Sequence, residues 1–131
     1  MNSAVIILNR NLPQETDELV NSLIEKNNVY LEDIYVVEAG SRPKDISKHC
    51  TWHVTNKEVI EKGLRFNRGM NYGLMKLLNQ DLIKKYSSVL LLTNDTILLQ
   101  PNTVKNLESI FEKFPRLGLL SPCGVKWGER D

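Results

Sequence analysis

Cysteine is scarce in this chain: Cys50 and Cys123 are the only two in 131 residues. One pair cannot supply the framework of a small disulfide-stapled fold, and no histidine or cysteine near them stands at zinc-site spacing. A surplus of charge is lacking too, since 17 basic residues face 16 acidic ones for a net charge of +1. That balance gives no electrostatic case for a nucleic-acid partner, which would call for a strongly basic face. Apolar runs stop at about five residues, as in Ala4 to Leu8, so none is a transmembrane segment. The opening MNSAVIILNRN has neither the basic n-region nor the long apolar h-region of a signal peptide. The expectation is a soluble, single-domain protein of a reducing compartment, spanning residues 1–131.

Two familiar phosphate loops are also missing. No G-x-x-x-x-G-K-[ST] appears, and no G-x-G-x-x-G follows the first apolar run, so neither P-loop nor nicotinamide-binding chemistry is indicated.

What is present is alternation. Ala4 to Leu8 is a short apolar run of the kind buried on both faces of a parallel sheet, and it ends in Asn9, Arg10 and Asn11. Pro13 suits a first helical turn, with Leu19, Val20, Leu23 and Ile24 on one face and Asn27–Asn28 as a break. Ile34 to Val37 predicts a second strand, ended by Glu38, Ala39, Gly40 and Ser41, and Trp52 to Val54 a weaker third. Met70, Leu74, Leu77, Leu78 and Leu82 recur at helical spacing in RFNRGMNYGLMKLLNQDLIKKY. Val89 to Leu92 predicts a fourth strand. Pro101 is placed in the first turn of a helix with Val104, Leu107, Ile110, Phe111 and Phe114 on its apolar face, stopped by Pro115. Leu117 to Leu120 predicts a fifth strand. The order predicts an α/β fold, a Rossmann-like and mostly parallel sheet flanked by helices. In such sheets ligands gather at the carboxyl ends of strands, where three polar clusters fall: Asn9–Asn11, Glu38–Ser41 and Asn94–Thr96.

The stretch SSVLLLTNDTILLQP, Ser87 to Pro101, interrupts an apolar run with Thr93, Asn94, Asp95 and Thr96. An isolated buried carboxylate is costly, so Asp95 either caps a turn or is delivered to a ligand that wants negative charge. Mg²⁺ or Mn²⁺ needs only one or two protein carboxylates when phosphate oxygens and water complete its shell.

Five segments, in order, resemble a known family. VIILNRN (Val5 to Asn11), IYVVEAGS (Ile34 to Ser41), RFNRGMNYG (Arg65 to Gly73), LLLTNDTILLQP (Leu90 to Pro101) and FPRLGLLSP (Phe114 to Pro122) are similar to the nucleotide-sugar-binding part of glycosyltransferase family 2, the inverting GT-A-fold enzymes that include rhamnosyltransferase-like members. The resemblance implies a glycosyltransferase that moves a sugar from a nucleoside-diphosphate sugar to an acceptor hydroxyl, a glycan or lipid-linked acceptor in polysaccharide biosynthesis. It implies a cytoplasmic enzyme, with a peripheral place at the membrane as a further expectation. By position, Leu8, Asn9 and Arg10 would line the base pocket, Glu38 would meet the base or ribose, and Arg65 and Arg68 would lie near the diphosphate. Asn94 would face the ribose and Asp95 would hold Mg²⁺ or Mn²⁺.

This chain departs from the pattern. Glu38 replaces the usual Asp, Asn94 replaces a carboxylate, and Arg10 stands where Tyr is common. Plainer roles stay open: Glu38 as an exposed strand-end residue, Arg65 and Arg68 as solvated helix-start charges, Asn71 and Gly73 as packing residues, His49 and His53 as surface or loop residues. Inverting transfer needs a general base, and beyond Leu120 only Glu129 and Asp131 are carboxylates. The expectation is therefore the N-terminal, donor-binding part of a longer enzyme. The alternatives are a non-catalytic nucleotide-sugar- or protein-binding module of the same fold, and a nucleotidyltransferase, although NRNLPQE is not the Gly-rich basic loop the latter carries.

Overall fold

A computed structural model describes residues 2–122 of the chain. Four strands form one all-parallel sheet in the order β3-β2-β1-β4: β1 (Ser3–Asn9), β2 (Ile34–Ala39), β3 (Cys50–Val54) and β4 (Ser88–Thr93). The central strands are the uninterrupted apolar runs. Val5, Ile6, Ile7, Val36 and Val37 are wholly buried because helices cover both faces of the sheet.

Helix α1 (Pro13–Asn27) and helix α4 (Thr103–Lys113) lie on one face, where Leu19, Val20, Leu23 and Val104 meet Val5, Ile7 and Val36. Helix α3 (Phe66–Asn79) lies on the other, where Met70 and Leu77 meet Ala4, Ile6 and Val37. Its approach is close at Gly73, where a Cβ would stand 2.9 Å from Ile6 Cγ2; this is the packing role expected for that glycine. α1 has Pro13 in its first turn and ends at Asn28, which adopts φ 55°, as Asn27–Asn28 predicts.

Several expectations are corrected. Pro101 precedes α4, which starts at Thr103 after Asn102 turns the chain with φ 60°. Phe114 is exposed and lies just past the end of that helix. The helix from Phe66 stops at Asn79, and Leu82 packs from the following turn. A six-residue helix, α2 (Lys57–Lys62), was not expected; it buries only Val59, too little to show as a periodic face. Leu117 to Leu120 forms no strand: Leu119 is 85 % exposed, and the segment borders a groove beside β4 without pairing to it. An apolar run of four reports a tendency to be covered and does not name a ladder partner. Among the described residues no helix is long and apolar enough to cross a membrane.

The chain winds one way through β1, β2 and β3, then returns across the sheet to place β4 beside β1. The winding reverses between β1 and β4, and the carboxyl ends of those strands are where such sheets open a crevice.

Candidate functional site

The three polar strand ends do converge. Asn9 and Glu38 are register partners on β1 and β2, and both are 0 % exposed. Asn9 Nδ2 donates to both carboxylate oxygens of Glu38, at 3.0 and 2.8 Å. Ser41 Oγ donates to Glu38 Oε2 at 2.5 Å, and the Ser47 backbone N–H donates to Oε1 at 2.8 Å. On its other side Asn9 Oδ1 accepts the Leu12 N–H at 3.1 Å and Asn94 Nδ2 at 3.0 Å. Asn11 links the first two loops, its N–H donating to Ser41 Oγ and its Oδ1 accepting the Arg42 N–H. One buried network thus joins the ends of β1, β2 and β4. A carboxyl side chain tolerates burial here because several donors replace its water.

Glu38 is therefore not an exposed strand-end residue. Its carboxylate is engaged by the protein on both oxygens, so the network, and not open solvent, is what it faces. Its negative field, after burial itself, holds the neighbouring Cys50 thiol above its ordinary pKa.

Asn94 and Asp95 form the turn that ends β4. Asp95 is exposed and has no hydrogen bond or ion pair among the described residues. With Asn94, Thr96, Ile97 and Leu98 it borders a groove of about 460 Å³ whose far wall is the Glu15, Glu18, Ser22 and Lys26 stripe of α1. α1 opens without a side-chain cap and Pro13 has no N–H, so the Gln14 and Glu15 N–H groups have no partner among the described residues at this end of the sheet. Three carboxylates against one lysine make the groove acidic. Among the described residues no three His, Cys, Asp or Glu side chains are grouped to hold a metal ion. The protein builds no complete cage there. The free carboxylate of Asp95 does fit a Mg²⁺ or Mn²⁺ ion that takes most of its ligands from phosphate and water.

The arginines lie toward the α2–α3 side. Arg10 Nη2 donates to Ile60 O at 3.3 Å and Glu61 O at 3.2 Å, closing the last turn of α2. Gly63, at φ 70°, leaves room for it, since a Cβ there would fall 2.6 Å from Arg10 Cδ. Arg68 meets Glu58 at 3.4 Å with both side chains exposed, a weak contact. Arg65 is exposed immediately before α3, which also begins without a side-chain cap. Leu8 is half-buried and packs on Gly69 of α3. So Asn9, Glu38 and Asn94 are brought into one unit, Asp95 adjoins it, and Leu8, Arg10, Arg65 and Arg68 form the other flank.

His49 lies in the turn before β3, a loop residue as expected, whereas His53 belongs to β3; both are half-buried. The sequence reading also missed Ser47, whose N–H completes the shell of Glu38 and whose hydroxyl donates to Asp17 Oδ1. It missed the α1 stripe as well; Glu15, Glu18, Ser22 and Lys26 recur at helical spacing, a signal that was there to be read. No protein-family model, curated protein or solved structure matches the chain.

Proposed function

We propose that the chain is the donor-binding domain of a glycosyltransferase, taking a nucleoside-diphosphate sugar across the carboxyl ends of β1, β2 and β4. The observation that carries this reading is Asp95: a free carboxylate on the β4 turn, beside the winding reversal and at the rim of a groove. The acidity of that groove supports a cation as part of the ligand, because a bare diphosphate would be repelled by Glu15, Glu18 and Asp95. Asp95 would hold Mg²⁺ or Mn²⁺, and the ion would supply Lewis-acid stabilisation of the departing diphosphate. The uncapped first turns of α1 and α3 would add N–H donors, and Arg65 and Arg68 positive charge, on the two flanks. An acceptor hydroxyl would then displace the diphosphate in line with inversion, its proton taken by a base outside the residues assigned here.

Burial of Glu38 favours a second reading. With its carboxylate engaged internally, the domain has one fewer group for the base or ribose, as in a module that binds a nucleotide sugar without turnover. Titration with UDP-, dTDP- and GDP-sugars, with and without Mn²⁺, tests both. Mn²⁺-dependent binding of at least one donor supports the shared premise, and turnover to an acceptor separates enzyme from module. Binding that ignores Mn²⁺, or no binding to any donor, contradicts the proposal.

A further inference from the structure

We propose that Glu38 is a positioning residue, acting through Asn9 to decide which atom of Asn94 faces a ligand; the consequence for metal binding rests on the reading of Asp95 as a cation ligand. The Ser47 N–H can only donate. Ser41 Oγ already accepts the Asn11 N–H and turns its own hydrogen to Glu38. Asn9 bridges both carboxylate oxygens from one nitrogen. The Ser47 N–H and the Asn9 NH₂ can only donate, so both carboxylate oxygens of Glu38 serve as acceptors.

Asn9 is held from both sides: Glu38 takes its NH₂, and the Leu12 N–H, which can only donate, takes its Oδ1, the oxygen that Asn94 also meets. Asn94 meets an oxygen at 3.0 Å and must in turn present its NH₂ inward. Its own Oδ1 has no partner among the described residues, and Asn94 and Asp95 both border the groove beside α1. Two amides in series thus carry the polarity of one buried charge to the surface. The turn shows a ligand two kinds of oxygen, a carbonyl and a carboxylate, as a hard divalent cation requires. The reversed amide would aim an NH₂ at the ion. Asn at position 94 therefore keeps the oxygen of a carboxylate while avoiding a second negative charge against Asn9 Oδ1.

The test separates polarity from shape. Glu38→Gln keeps the shape and loses the purely accepting character; Glu38→Asp keeps that character and loses a methylene. With the full chain and UDP or GDP present, Mn²⁺ affinity read by electron paramagnetic resonance is expected to fall about tenfold or more in Glu38→Gln and to stay within about threefold in Glu38→Asp. The reverse ranking, with both variants folded by circular dichroism, overturns the proposal, since a packing role alone would produce it. A second readout needs no ligand and no variant: a coupling across the hydrogen bond from Asn94 Nδ2 to Asn9 Cγ in labelled protein. A coupling in the opposite sense, or an Asn94 amide averaging between orientations, overturns the relay. The expected coupling in the unchanged chain, lost in Glu38→Gln and kept in Glu38→Asp, with no Mn²⁺ bound, upholds the orienting role of Glu38 and overturns the cation reading of Asp95, so the two failures are told apart.

Discussion

The two flanks of the sheet's carboxyl rim are built on opposite terms. On one, Asn9, Glu38 and Asn94 are locked by hydrogen bonds drawn from three loops, with Asn9 and Glu38 sealed from solvent. On the other, Arg65 and Arg68 stand in solvent, held at most by an exposed contact to Glu58. The difference shows how a rim can be rigid and still available. Polar groups that are buried must be satisfied, so they become structure, and their value to a ligand lies in what they orient. Exposed charges contribute little to the fold and are free to meet an anion. Arg10 sits between the cases: its guanidinium reaches the α2 carbonyls, so it supports the second flank before it serves a ligand.

Breaking the locked flank should cost the most. Asn9→Ala strips Glu38 of its bridging donor and leaves Leu12 N–H and Asn94 without their acceptor, and roughly 3 kcal/mol or more of stability is expected to go, measured by urea unfolding. A loss under about 1 kcal/mol would mean that water replaces Asn9 freely and that the network is not a lock. Gly40→Ala comes next. The residue holds φ 71° at the end of β2 and its Cβ would lie 2.3 Å from the Val59 carbonyl oxygen, a backbone atom that cannot swing aside. A loss of about 2–3 kcal/mol is expected, detected as a lowered unfolding midpoint.

The open flank should behave inversely. Arg65→Ala and Arg68→Ala are expected to change stability by less than about 0.5 kcal/mol while weakening nucleoside-diphosphate binding about fivefold each in calorimetric titration. A drop in stability without loss of binding would erase the contrast between the flanks. The smallest effect lies at the opposite end of the sheet and serves as a control. The Tyr86 hydroxyl meets Tyr35 at 2.7 Å and donates to Asp33 at 2.9 Å. Burial first, then those hydrogen bonds and the Asp33 charge, raise its pKa far above the ordinary 10.0. A raised folded value means that the unfolded chain loses the proton first, so the neutral hydroxyl's contribution is complete below pH 10 and fades as pH climbs above it. Stability should decline above pH 10, less steeply in Tyr86→Phe, with donor binding at neutral pH unchanged.

The parts of this arrangement that the sequence discloses are the local ones. Three apolar runs marked β1, β2 and β4, the weaker Trp52–Val54 signal marked β3, and Pro13 with Asn27–Asn28 marked both ends of α1, because burial on two faces and helix boundaries are written in neighbouring residues. The convergence of Asn9, Glu38 and Asn94 also followed from strand ends and a parallel sheet. Which of them is buried did not. The shell of Glu38 needs Ser47, nine residues on, and Asn9, twenty-nine back, and the anchoring of Arg10 needs carbonyls fifty residues away. The expected strand at Leu117–Leu120 failed for a related reason: hydrophobicity predicts cover, while a ladder requires an edge brought within reach.

The role given to Asp95 is the claim that most needs testing, and one titration does so directly: Mn²⁺-dependent binding of a nucleoside-diphosphate sugar to the unchanged chain and to Asp95→Ala. The account predicts that the variant folds normally, because the side chain is exposed and unpartnered among the described residues, and that its Mn²⁺-dependent affinity falls at least tenfold. Equal affinity in both proteins would contradict it.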